Sequence, residues 1–240
     1  GASVGVVVVI MLGVNFFEPY SLSILAFFGA VGSFVIVFAM AQTGGRISPT
    51  RLILAGVATA YILSAVTSFL LFVGDDRAIR VVLYWMLGTL SGAECDYLWL
   101  PAAALFFGIT ILVLKYRQMN ALLAGEETAT ALGVDTQAFR RQLLVITALL
   151  TGVMVAVAGA IGFVGLMMPH IVRLVVGSDH RLVLPASALA GAIFLIWVDV
   201  AARTVVQPQE LPVSVITALV GAPFFLWLLR WRRQAFGGQI

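Results

Sequence analysis

Long apolar runs, separated by short polar turns, constrain the fold of this chain more than any other feature. They cover residues 2–14, 21–41, 52–73, 98–114, 143–176, 182–205 and 211–231. A helix needs about 20 apolar residues to cross a bilayer, whereas a membrane β-strand alternates apolar and polar positions. Charged residues make up only 10% of the sequence, against about 25% in a soluble domain. We therefore predict an all-α polytopic membrane bundle, with about eight transmembrane helices in a single domain covering residues 1–240.

The run at residues 143–176 is too long for one straight span, because a helix of that length would reach about 50 Å. Four residues supply a break: Gly159, Gly162, Gly165 and Pro169. We predict a full helix ending near Ala160 and a short half-helix over residues 166–176. Interrupted helices often line a translocation pathway, but small residues also allow close helix packing. Both interpretations stay open for Gly162, Gly165 and Pro169.

One long polar segment, residues 115–141, interrupts the apolar pattern. Leucines and alanines recur within it at roughly helical spacing between polar neighbours, and Gly125 and Gly133 are placed to break it into short helices. Such a segment is either a solvated loop or a surface for a soluble partner.

The basic residues predict the orientation in the membrane. If residues 115–141 are cytoplasmic, eleven of the fourteen Lys and Arg residues lie inside and only Arg77, Arg80 and Arg203 lie outside. The half-helix is needed for this count, since without it the C-terminal arginines would fall outside. The basic clusters are thus explained by topology, and we expect no nucleic-acid partner.

Few residues suit catalysis, metal binding or proton transfer. Cys95 is the single cysteine, and His170 and His180 have no clustered acidic partner, so we predict no metal site and no catalytic residues. An ion-coupled secondary transporter, the alternative function, would carry acidic or His relays in its spans. Apart from Asp199, the spans carry almost none. Asp199 lies four residues before Arg203, a spacing that also suits a purely structural ion pair.

Five stretches closely resemble the permease subunits of type II ABC importers for iron-siderophores, haem and vitamin B12, the FecCD-type permeases. They are GFVGLMMPHIVRLVVGSDHRLVLPASALAGA (162–192), DVAARTVVQPQELPVSVITALVGAPFFLWLL (199–229), LILAGVA (52–58), YWMLGTLSG (84–92) and LLAGEETATALGV (122–134). Family members have ten membrane helices, so the resemblance implies a piece that lacks about the first two.

The resemblance also implies a function and partners. A homodimer, or a pair with a paralogue, would form a pore in the bacterial cytoplasmic (inner) membrane, with the C-terminus cytoplasmic. Two ABC ATPase subunits would bind below, and a periplasmic or lipid-anchored substrate-binding protein would dock above. The permease would bind membrane lipid but no cofactor directly, since ATP acts through the partner. An iron-siderophore is the default substrate, with haem or cobalamin as alternatives.

Site residues follow from the same resemblance. The expected ATPase-coupling residues are Ala121, Leu122, Ala124, Gly125, Glu126, Glu127, Ala129, Leu132 and Gly133. Ser48, Pro49 and Thr50 would form a cytoplasmic gate, although a Ser or Thr before a helix is also a common N-cap. Arg203, with Glu210 on the same side, would meet the binding protein.

Overall fold

The computed structural model describes residues 1–12, 21–43, 46–91 and 98–236, which form eleven α-helices and one small β-hairpin. The helices are α1 (Ala2–Leu12), α2 (Ser21–Ala41), α3 (Pro49–Val73), α4 (Asp76–Met86), α5 (Trp99–Leu114), α6 (Tyr116–Leu123), α7 (Glu126–Ala131), α8 (Thr136–Ala158), α9 (Val164–Val176), α10 (His180–Thr204) and α11 (Val213–Phe236). The hairpin pairs β1 (Gln42–Thr43) with β2 (Arg46–Ile47) in antiparallel register. The turn predicted at residues 15–20 and the single cysteine, Cys95, lie outside the described residues.

The predicted polytopic all-α architecture is confirmed. Four helices are long and apolar enough to cross a membrane, namely α2, α3, α8 and α10, and α5 with α6 would make a fifth span bent by 57°. Shorter apolar stretches lie in α1, α9 and α11. The predicted number of eight spans is therefore not confirmed.

The predicted break in the longest apolar run is present between Ala158 and Val164, where α8 ends and α9 begins. The start of α8 differs from the prediction, because the helix begins at Thr136 rather than near residue 143. Asp135 caps it, accepting a hydrogen bond from the Ala138 N–H at 2.9 Å. The apolar run marked only the part of α8 that suits the bilayer, and two further polar turns precede it.

The best-packed part of the bundle surrounds α1. Val6 and Val7 are fully buried and pack with Ala26 of α2, Val82 of α4 and Ala156 of α8. The long helices otherwise expose large apolar side chains, as expected where lipid replaces water as the solvent.

The connection between α3 and α5 contains α4, an amphipathic helix that runs from Asp76 to Met86. Asp76 lies in its first turn, where a carboxylate stabilises the positive end of the helix dipole. Its buried Val82 packs with Val6 and Val7 of α1.

Candidate functional site

The polar segment folds into two short helices, α6 and α7, as its spacing predicts. Gly125 precedes α7 with φ of 108°, and Gly133 follows it with φ of 82°, a backbone conformation that glycine adopts without strain. Glu126 and Glu127 occupy the first turn of α7. The two glycines thus set sharp turns at both ends of a six-residue helix, which holds it in a defined orientation.

One residue of the predicted coupling set, Ala129, is buried. It is 0% exposed, so it packs inside the chain and cannot itself contact a partner. Its part in coupling stays a prediction. Leu123 and Leu132 are 54% and 68% exposed, and the same segment exposes the polar residues Glu126, Glu127, Thr128 and Thr130. Leu123 was missed by the sequence analysis. Apolar side chains that project from a polar segment favour a protein contact.

The predicted gate residues lie at the start of α3. The helix begins at Pro49 rather than at residue 52, because Pro is well suited to the first helical position. Pro49 and Thr50 are therefore in its first turn, and Ser48 is the N-cap. The Ser48 hydroxyl makes no capping hydrogen bond. Helix capping by the side chain therefore does not explain why a serine stands at position 48.

The gate residues are attached to the polar segment through α8. The Ile47 N–H donates to Gln137 Oε1 at 3.1 Å, and Arg140 Nη1 donates to the Ile47 carbonyl oxygen at 3.1 Å. Arg140 Nη2 also forms an ion pair with Glu126 Oε1 of α7. In the sequence, Arg140 is one of the basic residues that indicate topology, and these contacts were not predicted.

A second attachment joins α6 to the turn between α9 and α10. Asn120 Nδ2 donates to Asp179 Oδ1 at 2.7 Å, and Asn120 Oδ1 accepts the His180 N–H at 2.9 Å and lies 2.8 Å from His180 Nδ1. The hydrogen bond from Asn120, together with that from the Arg181 N–H, holds the pKa of the Asp179 carboxyl below its usual value. His180 therefore has a structural partner. Among the described residues, no cluster of three His, Cys, Asp or Glu residues could hold a metal ion.

Replacing Asn120 with Ala should change the acid sensitivity of the protein. A carboxyl with a lowered folded-state pKa adds stability above its unfolded-state pKa, and this is lost as pH falls through the folded-state value. In Asn120→Ala the pKa of Asp179 should rise toward its usual value. The variant should then melt earlier than the wild type near neutral pH, and this gap should narrow as the pH is lowered. Thermal unfolding in detergent at a series of pH values measures this, with Asn120→Ala/Asp179→Asn as control. A gap that is independent of pH would contradict the assignment.

The opposite end of α10 carries the predicted docking pair. Arg203 Nε donates to Asp199 Oδ2 at 2.9 Å, so the spacing-based ion pair is present, and Glu210 is near enough to interact electrostatically with Arg203. At about 1.5 Å per residue, Arg203 lies about 35 Å along α10 from His180. Arg203 and the polar segment therefore lie at opposite ends of α10.

The break between α8 and α9 is held by close backbone contacts. Gly159 has φ of 71°, and a Cβ atom there would lie 2.3 Å from the Trp85 carbonyl oxygen. The Thr89 N–H donates to the Ala158 carbonyl at 3.1 Å, and Ser214 Oγ donates to the Ala160 carbonyl at 2.5 Å. The sequence analysis grouped Gly159 with its neighbours and did not predict that α4 and α11 hold the break.

The predicted pathway residues are set apart from these contacts. Gly162 and Gly165 are exposed, and a Cβ atom at either would meet no atom of the described residues within 4 Å. Close helix packing within this chain therefore does not explain them. Pro169 lies inside α9. Phe163, between the two glycines in sequence, packs on Gly221 of α11.

A cleft of about 550 Å³ opens between α1, α2 and α8. Its polar lining includes the small hydroxyls of Ser3, Ser33, Thr147 and Thr151, and none of the described residues brings a charged side chain to it. Such a lining offers a few neutral hydrogen bonds and no charge to hold an ionic ligand.

Comparison with known proteins gives one consistent result. A sequence model of the FecCD transport family matches residues 1–231. The chain is 46% identical over 238 residues to the cobalamin import system permease protein BtuC of Halobacterium salinarum, covering 97% of this chain and 62% of that protein. It is 41% identical over 221 residues to the hemin transport system permease protein HmuU of Yersinia pestis, covering 91% and 65%. The chain thus spans less than two thirds of the length of either relative.

A solved structure shows the same fold. It is an inward-facing conformation of a transporter assigned to the metal-chelate type of ABC transporters, with a TM-score of 0.87 and 30% identity. The similarity covers 96% of this chain and 72% of that one. Because the family match extends over nearly the whole sequence, and the helices superpose on a transporter of this type, the protein belongs to the FecCD transport family.

Proposed function

We propose that this chain is the transmembrane permease part of an ATP-driven importer for a metal chelate. The observation that carries the proposal is the family match over residues 1–231. The two short helices lie near the start of α10, and the ion pair lies about 35 Å further along that helix, which agrees with partners on both sides of a membrane.

The partners follow from these two ends. ABC ATPase subunits would contact α6 and α7 on the cytoplasmic side, through Ala121, Leu122, Ala124, Gly125, Glu126, Glu127, Leu132 and Gly133. A substrate-binding protein would contact Arg203 and Glu210 on the outer side. A second permease, identical or paralogous, would complete the pore. ATP acts only through the ATPase, and the membrane is the cytoplasmic (inner) membrane with the C-terminus inside.

The gate and pathway assignments are part of the same proposal. Ser48, Pro49 and Thr50 would narrow the cytoplasmic mouth with small side chains, which close a pore without placing a charge in it. Gly162, Gly165 and Pro169 would border the pathway, where their open surroundings leave room for a passing ligand.

Cobalamin is the substrate we favour, because a relative that is 46% identical is named as a cobalamin import permease. Haem comes second, because a relative that is 41% identical is named as a hemin transport permease. An iron-siderophore, the default from the sequence, stays a prediction. None of the side chains described around the cleft is charged, so selection among these three would lie with the binding protein.

Reconstitution tests the function directly. The full-length permease, its ATPase and its binding protein would be placed in proteoliposomes and supplied with labelled cobalamin, haem or a ferric siderophore. We expect uptake of one chelate that needs internal ATP and is blocked by vanadate. Uptake that survives vanadate but stops when ion gradients are collapsed would instead establish an ion-coupled secondary transporter.

Replacing Arg203 with Glu should weaken capture of the binding protein. The change reverses the charge on the outer surface and leaves Asp199 beside a second carboxylate. We expect the affinity to fall about tenfold, and the loss to be larger at low salt because such contacts are screened. Binding would be measured on nanodisc-embedded permease at two salt concentrations. Arg80→Glu on α4 is the control of equal charge change, and an equal loss in that variant would exclude a specific role for Arg203.

A further inference from the structure

One side chain, Arg140 of α8, joins the polar segment to the gate. Its Nη2 pairs with the Glu126 carboxylate at the start of α7, and its Nη1 donates to the Ile47 carbonyl at 3.1 Å. The planar guanidinium has donors in a fixed fork, so a movement of one acceptor is passed to the other through a rigid group. The Arg140 side chain is 21% exposed and that of Glu126 is 53% exposed, so the contact with the buried Ile47 is better shielded from water than the ion pair.

Gln137, one turn earlier on α8, completes the attachment by accepting the Ile47 N–H at 3.1 Å. Both backbone polar groups of Ile47 are therefore bound by side chains of α8, and Ile47 itself is 2% exposed. The hairpin has only two residue pairs, too few to hold its own position. Its placement, and that of Ser48 directly after it, depends on α8.

We propose that Arg140 is a positioning residue that transmits displacement of α7 to the gate. When α7 moves, Glu126 draws Arg140 with it, and Arg140 shifts the Ile47 carbonyl together with Ser48, Pro49 and Thr50. The inference rests on the proposed function only where it names these three residues as a gate. The linkage between α7 and the hairpin is a property of the permease alone.

Hydrogen exchange in the purified full-length permease tests the linkage. Glu126→Gln removes the charge that holds Arg140, so we expect exchange in peptides covering residues 46–52 to rise about threefold or more, although the change lies in another helix. Arg140→Gln should raise it about tenfold. The double variant should exchange no faster than Arg140→Gln alone, because both changes break the same chain of contacts.

Two neighbours serve as matched controls. Glu127→Gln is the control for Glu126→Gln, because it removes a negative charge from the next residue of α7. Arg141→Gln is the control for Arg140→Gln, because it removes a positive charge from the next residue of α8, whose side chain is exposed. Neither should alter exchange in residues 46–52. If Glu126→Gln leaves that exchange unchanged, if Glu127→Gln raises it equally, or if the effects of Glu126→Gln and Arg140→Gln add, the linkage is excluded. Glu126→Gln decides the question even if Arg140→Gln folds poorly.

The assembled importer then tests the consequence for transport. With Arg140→Gln we expect ATP hydrolysis to stay within about twofold of the wild type while uptake falls about tenfold or more. Arg141→Gln should keep both activities. Uptake that remains proportional to hydrolysis in Arg140→Gln would overturn the transmitting role. A wild-type complex that fails to transport would instead refute the proposed function, and the exchange result would still decide the linkage.

Discussion

Replacing Gly159 with Ala is expected to prevent most of the chain from reaching its folded state. The new Cβ atom would lie 2.3 Å from the Trp85 carbonyl oxygen and 2.9 Å from the Cα of Gly88, so backbone rather than a flexible side chain would have to move. The φ of 71° adds strain for any residue with a Cβ atom. Together these effects should cost on the order of 3–5 kcal/mol, a large part of the stability of a typical domain.

Gly162→Ala is the matched control for this prediction. It makes the same chemical change three residues later in the same break, where a Cβ atom would meet no atom of the described residues within 4 Å. We expect it to leave the yield of monodisperse protein and the midpoint of thermal unfolding nearly unchanged in detergent. Equal midpoints for the two variants would show that the contact between the break and the end of α4 does not support the fold.

Replacing Leu132 with Asp should weaken binding of the ATPase more than any other single change in α7. Leu132 is 68% exposed, more than any other large apolar side chain of α6, α7 and the turns beside them, and burying a leucine is worth about 1.5–3 kcal/mol. A carboxylate there would lose this gain and would also need to be desolvated. We therefore expect the affinity for the ATPase to fall about 30-fold or more, measured on nanodisc-embedded permease with the purified ATPase.

Thr128→Asp separates the two contributions to that loss. It places the same charge on an exposed position of α7 without removing a leucine. A smaller loss in Thr128→Asp indicates that apolar burial dominates, as expected for a contact centred on Leu132. If Leu132→Asp binds the ATPase as tightly as the wild type, α7 is not the contact surface and the coupling proposal fails.

Glycine positions and the spacing of apolar residues predicted where helices break, because a helix break depends on residues that are close in sequence. The break after α8 and the division of the polar segment into α6 and α7 follow from glycines and helical spacing, and both are present. Helix starts were less accurate, because an apolar run marks the part of a helix that suits the bilayer and not its polar first turns. Both α3 and α8 begin earlier than predicted for this reason.

Contacts between distant residues could not be predicted in this way. Arg140 and Ile47 are 93 positions apart, and Asn120 and His180 are 60 apart, so no periodicity or spacing relates them. Ala129 and Leu132 are both apolar residues of one polar segment, and only the packing of α7 shows that the first is buried and the second exposed. The residues that connect the elements of the site were thus the ones that sequence reasoning missed.

Helix α10 runs without interruption from His180, which is bound to Asn120 of α6, to the turn that carries Arg203. If the ATPase acts at one end of this helix and the binding protein at the other, the two equilibria share one structural element. Thermodynamic linkage then works in both directions. If bound nucleotide changes the affinity of the permease for the binding protein by some factor, the binding protein must change the affinity of the ATPase for nucleotide by the same factor. The loaded binding protein would in this way report the presence of cargo to the ATPase before any cargo has crossed the membrane.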